Sequence, residues 1–272
     1  MGSRTAVVLG LDIGSTNVKA IALDGHGHVV SRVHRPTPRS GTDPSVDAEA
    51  LFDLLEDIIV EACGDRFAVS AVCAAGVGED GLLVDAAGRS LGPALAWFDP
   101  RRTAVFRDLE LPDVDDLGVA TDAARTLVGW AWARRQPGAH RARRWLALTD
   151  FASCRWARHP FMSDTLAART AAWREPDRAW AAERVHATLG STDLLASVVG
   201  AGDIVGGLHS ARLHRRGVLA AEAVVVAGGH DHPIGGWAVD TVQPGAILDS
   251  MGTAEVVVAQ SPTPVPPDAG RI

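Results

Sequence analysis

Residues 224–236 read VVVAGGHDHPIGG, which sets Asp231 between His230 and His232 directly after an apolar run and two glycines. Two chemistries suit that arrangement. Alternate residues of an extended chain face the same way, so the two histidines could share a metal ion. A metal site wants three or four ligands, however, and two histidines fall short of that number. A carboxylate just past a strand end, where glycines let a ligand approach the backbone, fits a general base better.

A second stretch, LDIGSTNVK at 11–19, places Asp12 at a strand end before Gly14, Ser15 and Thr16. Backbone N–H groups and hydroxyls in such a turn offer an anion site, and the carboxylate can hold a hydrated divalent cation. An ordinary hairpin turn uses the same residue types for their backbone geometry. No GxxxxGK[ST] is present, and the strand does not lead into a helix, so the P-loop and the Rossmann turn are both excluded. A third set joins GEDG at 78–81 to WFDPR at 97–101. Trp97 could stack on the C–H face of a sugar while Glu79, Asp80, Asp99 and Arg101 bond hydroxyls; taken singly, each reads as a surface charge or a core aromatic.

These residues need elements to carry them. Residues 5–14 form a β-branched run closed by glycine, and 17–36 alternate around the turn DGHGH, which predicts a three-stranded meander. Behind Pro44, Leu51, Leu54, Leu55, Ile58 and Ile59 recur at helical spacing up to Gly64. A buried strand is expected over 68–78, then a hairpin about Gly88, a mostly helical stretch from 103 to 200, and a strand from 224. A helix should follow from His232, with Pro233 in its first turn. Two further strands are expected about the turn SMGTAE, and the proline-rich tail from 261 reads as a linker or an exposed end. The result is an α/β chain.

Bulk properties narrow the partners. With 272 residues, 47% hydrophobic and 22% charged, the chain is globular. A net charge of -7 argues against nucleic acid, and the basic stretch RRQPGAHRARR at 134–144 reads as a solvated helix or loop. No window is long and apolar enough for a membrane span. Cys63, Cys73 and Cys154 are too scattered for a disulfide framework or a metal knuckle. A cytoplasmic location is expected.

In sequence order, LGLDIGSTNVKAIALDGHGHVV, GLLVDAAGRSLGPALAWFDPR, MSDTLAART, AGDIVGGL, AGGHDHPIGGWAV and GAILDSMGTAEVVV resemble the successive motifs of the FGGY carbohydrate kinases. The resemblance implies a ribonuclease-H-like fold of the actin, sugar-kinase and Hsp70 superfamily, a mixed sheet flanked by helices. It implies ATP and Mg2+ as cofactors, with phosphoryl transfer to a hydroxyl of a sugar or polyol. Asp231 matches the catalytic base. Asp12, with Gly14, Ser15, Thr16 and Lys19, matches the first phosphate loop and its magnesium-associated carboxylate, which acts through water; Gly252 and Thr253 match the second loop. Glu79, Asp80, Trp97, Asp99, Arg101 and His230 fall among the substrate contacts, although the register at 79–80 slips by about one residue. His232 is expected merely to pack.

Members of that family are close to twice this length. Residues 1–244 therefore correspond to the sugar-binding domain and 245–272 to the first hairpin of the ATP-binding domain, most of the adenosine site lying outside. The expected partners are a sugar or polyol, ATP, and either a second copy or a chain supplying the other kinase domain. The alternative is a sugar-binding or regulatory module with the kinase fold and no turnover.

Overall fold

The computed structural model describes residues 4–114, 117–251, 255–261, 263 and 265. Alternation and tight turns shape the first 36 residues into an antiparallel meander of β1 (Thr5–Ile13), β2 (Asn17–Leu23) and β3 (Val29–Pro36). Val7, Leu9, Leu11 and Ile13 of β1 are buried with Val18, Ala20 and Ala22 of β2, while Val8 and Ile21 are exposed on the other side. A period of two puts every second residue on one face, and that face is the core.

Helix α1 (Ala48–Cys63) begins where Asp47 accepts the N–H of Ala50 at 3.0 Å and ends at Gly64, whose φ of 50° stops it. Its stripe of Leu51, Leu55, Ile58 and Ile59 lies against β2 and β3. Strand β4 (Phe67–Gly76) then runs parallel to β1.

The hairpin expected about Gly88 forms only in part. Residues 85–89 do turn, but beyond one bridge from Val84 to Ser90 the ladder partner of β5 (Gly81–Val84) lies elsewhere. Two helices, α2 (Arg101–Arg107) and α3 (Thr126–Arg134), intervene before β6 (Arg144–Ala147) pairs antiparallel with β5. Gly81 leaves room for the Trp145 ring, which a Cβ would meet at 1.9 Å.

The expected helical stretch is more mixed than its composition suggests. After α4 (Leu148–Ala157) come β7 (Phe161–Ser163), α5 (Asp164–Ala167), the pair β8 (Trp173–Arg174) and β9 (Ala179–Trp180), α6 (Ala182–Thr188) and β10 (Ser197–Val199). Trp130, Trp145, Trp173 and Trp180 meet edge to face in a second core beside the main one.

The chain returns through β11 (Ile204–Gly207), α7 (Ala211–Arg215), the long β12 (Leu219–His230), α8 (Asp231–Val242), β13 (Leu248–Met251) and β14 (Glu255–Val258). The main sheet has the order β11-β12-β4-β1-β2-β3, with β12, β4 and β1 mutually parallel. Helix α4 packs on β12 and β4 and also touches α1, so the two helices cover the same face. The β13–β14 hairpin is antiparallel as expected. Among the described residues no helix is long and apolar enough to cross a membrane.

Candidate active site

The three parallel strands end in one row, because Ile13 of β1 and His230 of β12 both pair with Gly76 of β4. One residue earlier, Asp12 and Gly229 flank Ala75 in the same way. Two strand spacings, roughly 10 Å, therefore separate the backbone of Asp12 from the chain that enters Asp231. Glycines make the row possible: a Cβ on Gly76 would lie 2.4 Å from the Ile13 carbonyl oxygen, and one on Gly228 only 2.0 Å from that of Ala74.

Asp231 opens α8, one residue earlier than the sequence predicts, and Pro233 falls within the first turn. A carboxylate there interacts favourably with the helix dipole. Its Oδ1 accepts the His232 N–H at 2.8 Å and lies 3.0 Å from His232 Nδ1 and 3.3 Å from His230 Nε2. Oδ2 has no protein partner among the described residues. Burial raises the Asp231 pKa above the ordinary carboxylate value; His232 opposes this, and the charges of Asp12 and Glu79 add to it. Burial also drives the His230 imidazole down to about 3, helped by Arg169 and His232, so that ring is neutral at physiological pH. His232 does more than pack, since its ring nitrogen and its backbone N–H both contact the carboxylate.

Across β4, Asp12 forms a 2.9 Å ion pair with Lys19, its cross-strand neighbour. The turn beyond it is tied down at several points. Gly14 N–H is occupied by Asn17 O at 3.1 Å, and a Cβ on Gly14 would stand 2.8 Å from that oxygen. Gly14 thus shapes the turn and is not a free anion donor. The N–H groups of Ser15 and Thr16 have no protein acceptor among the described residues. Trp97 Nε1 donates to Ser15 Oγ at 2.9 Å, and Thr37 Oγ1 donates to Gly14 O at 2.7 Å.

These groups border a single cleft of ≈ 710 Å³, lined among others by Asp12, Gly14, Ser15, Thr16, Lys19, Glu79, Trp97, His230 and Asp231. That volume suits a small-molecule site. Glu79 receives the Nε of Arg169 at 2.7 Å, with a second guanidinium nitrogen on the same oxygen. Arg169 also lines the cleft, and Thr165 Oγ1 accepts the His230 N–H at 3.0 Å. Sequence reasoning named neither residue. The motif MSDTLAART contains both, but nothing in its local pattern tells which side chains turn inward.

Three predicted substrate contacts point elsewhere. Asp80, 1% exposed, lies 3.6 Å from buried Arg102, and burial raises its pKa to about 7 despite that guanidinium. Beyond β4 the chain bends at 78–79, and Glu79 lines the cleft while Asp80 enters the core. Asp99, 2% exposed, clamps Arg101 through bonds of 2.9 and 2.6 Å. Arg101 in turn reaches Ser45 Oγ at 2.7 Å and Asp43 at 3.2 Å, away from the cleft lining. These two rivet the start of α2 to the loop before α1. Gly252 and Thr253 lie outside the described residues.

The metal geometry is closer than the sequence implied. His230 Nε2, Asp231 Oδ1 and His232 Nδ1 converge, because the carboxylate itself supplies the third ligand atom.

The crystal structure of xylulose kinase from Rhodospirillum rubrum superposes with a TM-score of 0.78 at 19% identity, covering 92% of this chain and 54% of that one. The chain therefore shares the fold of that sugar kinase, a mixed sheet flanked by helices. The sequence profile of the N-terminal domain of the FGGY family of carbohydrate kinases matches residues 7–236, and the chain belongs to that family. L-fuculokinase of Escherichia coli is 26% identical over 275 residues, covering 95% of this chain and 57% of the enzyme. Xylulose kinase of Streptomyces coelicolor is 26% identical over 270 residues, with 94% and 54% covered. The chain spans a little over half the length of these relatives.

Proposed function

We propose that the chain provides the acceptor half of an ATP-dependent carbohydrate kinase, with Asp231 as base toward a hydroxyl of a ketopentose, ketohexose or small polyol. One observation carries this reading: Asp231 and the Asp12–Thr16 turn sit at the ends of strands on either side of β4 and open on the same cleft. Residues 1–244 would form the sugar-binding domain, and 245–272 would begin the nucleotide-binding one.

Phosphoryl transfer asks a protein mainly for in-line positioning and electrostatic stabilisation. The acceptor hydroxyl would lie against Asp231 Oδ2, the oxygen the histidines leave free. As its oxygen bonds to the γ-phosphorus and the bridging bond to ADP breaks, the hydroxyl proton passes to Oδ2. A sugar hydroxyl is a weak acid, so this proton moves late and a modestly raised pKa suffices. Trp97 would back the sugar's C–H face, and Glu79 would accept from a hydroxyl, held in place by Arg169.

The donor set also fits a magnesium nucleotide. Asp12 offers a half-exposed carboxylate oxygen of the kind Mg2+ prefers, with waters completing its shell. Unpartnered N–H groups at Ser15 and Thr16, with Lys19 beside them, suit phosphate oxygens. When bound, Mg2+ would orient the phosphate oxygens and offset their charge.

Calorimetric titration of the purified chain with pentuloses, hexuloses, glycerol and tetritols tests the acceptor half. Binding of one of these classes, weakened in Trp97→Ala and in Glu79→Gln, is expected. Absence of binding across the panel would overturn the assignment.

A further inference from the structure

We infer that His230, Asp231 and His232 form a binding site for a transition-metal cation of the Zn2+ class, distinct in chemistry from the magnesium that accompanies a nucleotide. The argument is geometric. His230 Nε2 and Asp231 Oδ1 are 3.3 Å apart, Asp231 Oδ1 and His232 Nδ1 3.0 Å, and the two ring nitrogens 3.3 Å. Around a zinc ion with bonds of about 2.0–2.1 Å, neighbouring ligand atoms of a tetrahedron stand about 3.3 Å apart. The triangle already has the dimensions of one tetrahedral face.

Donor type selects the metal. Two imidazoles and one carboxylate suit Zn2+, Ni2+ or Cu2+, whereas Mg2+ prefers an all-oxygen shell. All three residues line the cleft, so a fourth ligand position can face it and take a water or hydroxyl oxygen. The helix start at Asp231 and the guanidinium of Arg169 oppose a cation here. The carboxylates of Asp12 and Glu79 on the same cleft work in the other direction.

A cation on Oδ1 withdraws electron density from the carboxylate that the kinase reading uses as base. Zinc-class occupancy of Oδ1 therefore weakens the base action proposed for Oδ2, and such a metal lowers turnover. That consequence rests on the proposed function; the binding site itself does not.

The test uses the purified chain, stripped with a chelator and titrated with Zn2+ and Co2+ without sugar or nucleotide. Stoichiometric binding is expected, with the intense visible bands of tetrahedral Co2+ and no displacement by excess Mg2+. His230→Ala and His232→Ala should each weaken binding about tenfold or more, while His26→Ala, remote from the cleft, leaves it unchanged. Circular dichroism verifies folding of each variant, and the partly exposed His232 decides the matter if His230→Ala unfolds. Failure to bind stoichiometrically, or undiminished affinity in folded His232→Ala, overturns the site. Sugar titrations on metal-free protein judge the kinase reading separately.

Discussion

Trp97 Nε1 donates a 2.9 Å hydrogen bond to the hydroxyl of Ser15, joining the aromatic wall of the cleft to the turn beyond Asp12 across 82 positions of sequence. The Trp97 ring and the turn beyond Asp12 are thus one mechanical unit. Trp97→Phe keeps the ring surface and removes the donor. We expect a loss of about 1 kcal/mol in unfolding free energy and weaker nucleotide binding in a complete site, with sugar affinity little changed. Trp97→Ala should lose sugar affinity as well, which calorimetry on both variants will separate.

Asp231→Asn should lower turnover of a complete kinase about 10²- to 10⁴-fold while leaving sugar binding nearly intact. In the unaltered enzyme the rate should fall as pH drops through a value above the ordinary carboxylate range, because burial holds the base there. His230, whose pKa burial lowers to about 3, is a weak base that does not titrate in that window. A pH–rate profile that stays flat down to the usual aspartate value would count against the base role.

Arg169→Gln leaves Glu79 on the cleft floor without its cation. Exposure of the pair is modest, 28% for the arginine side chain and 9% for the glutamate, so a loss of about 1–3 kcal/mol is expected. The double variant with Glu79→Gln should be less destabilised than the sum of the singles, as chemical denaturation of all four proteins will report.

Asp80 and Asp150 give the fold a pH slope of unusual sign. Burial raises both to about 7, Asp150 even while it accepts the N–H and hydroxyl of Ser163. Between the ordinary aspartate value and about 7 the native state holds more protons than the unfolded chain. Stability contributed by these groups therefore declines as pH rises through that window, at most about 1.4 kcal/mol per pH unit for each proton. Asp80→Asn should flatten the decline in denaturation midpoints measured from pH 4 to 8.

Gly228→Ala drives a Cβ to 2.0 Å from a strand carbonyl that cannot retreat. We expect a loss above about 4 kcal/mol, seen as a large fall in melting temperature. Gly92→Ala, where nothing lies within 4 Å, serves as the control.

Much of this arrangement could be read from the chain, for local reasons. Asp12 and Asp231 each follow an apolar strand and stand beside glycines, so their exposure at strand ends is written in adjacent residues. Helix α1 announces itself by its stripe, between Pro44 and Gly64. Other features depend on contacts distant in sequence. Nothing in GEDG says whether Glu79 or Asp80 turns outward; the decision is made by Arg102, buried against five carbonyl oxygens and drawing Asp80 inward. Arg169 reaches Glu79 from 90 residues away, and β5 finds its partner across two helices. At Asp99 and Arg101, charged residues beside an aromatic suggest a binding site in sequence, while in the fold they hold one another and lock a helix start.

The fixed pairing of β1 and β12 with β4 also bears on the order of events in catalysis. Carried by strands of one sheet, Asp12 and the chain that enters Asp231 keep their separation as the molecule breathes. In the proposed kinase, the phosphoryl donor then meets an acceptor oxygen whose seat is already fixed. Rejection of a wrong sugar, or of water, then becomes a question of dwell time: a poorly held acceptor leaves before the donor arrives.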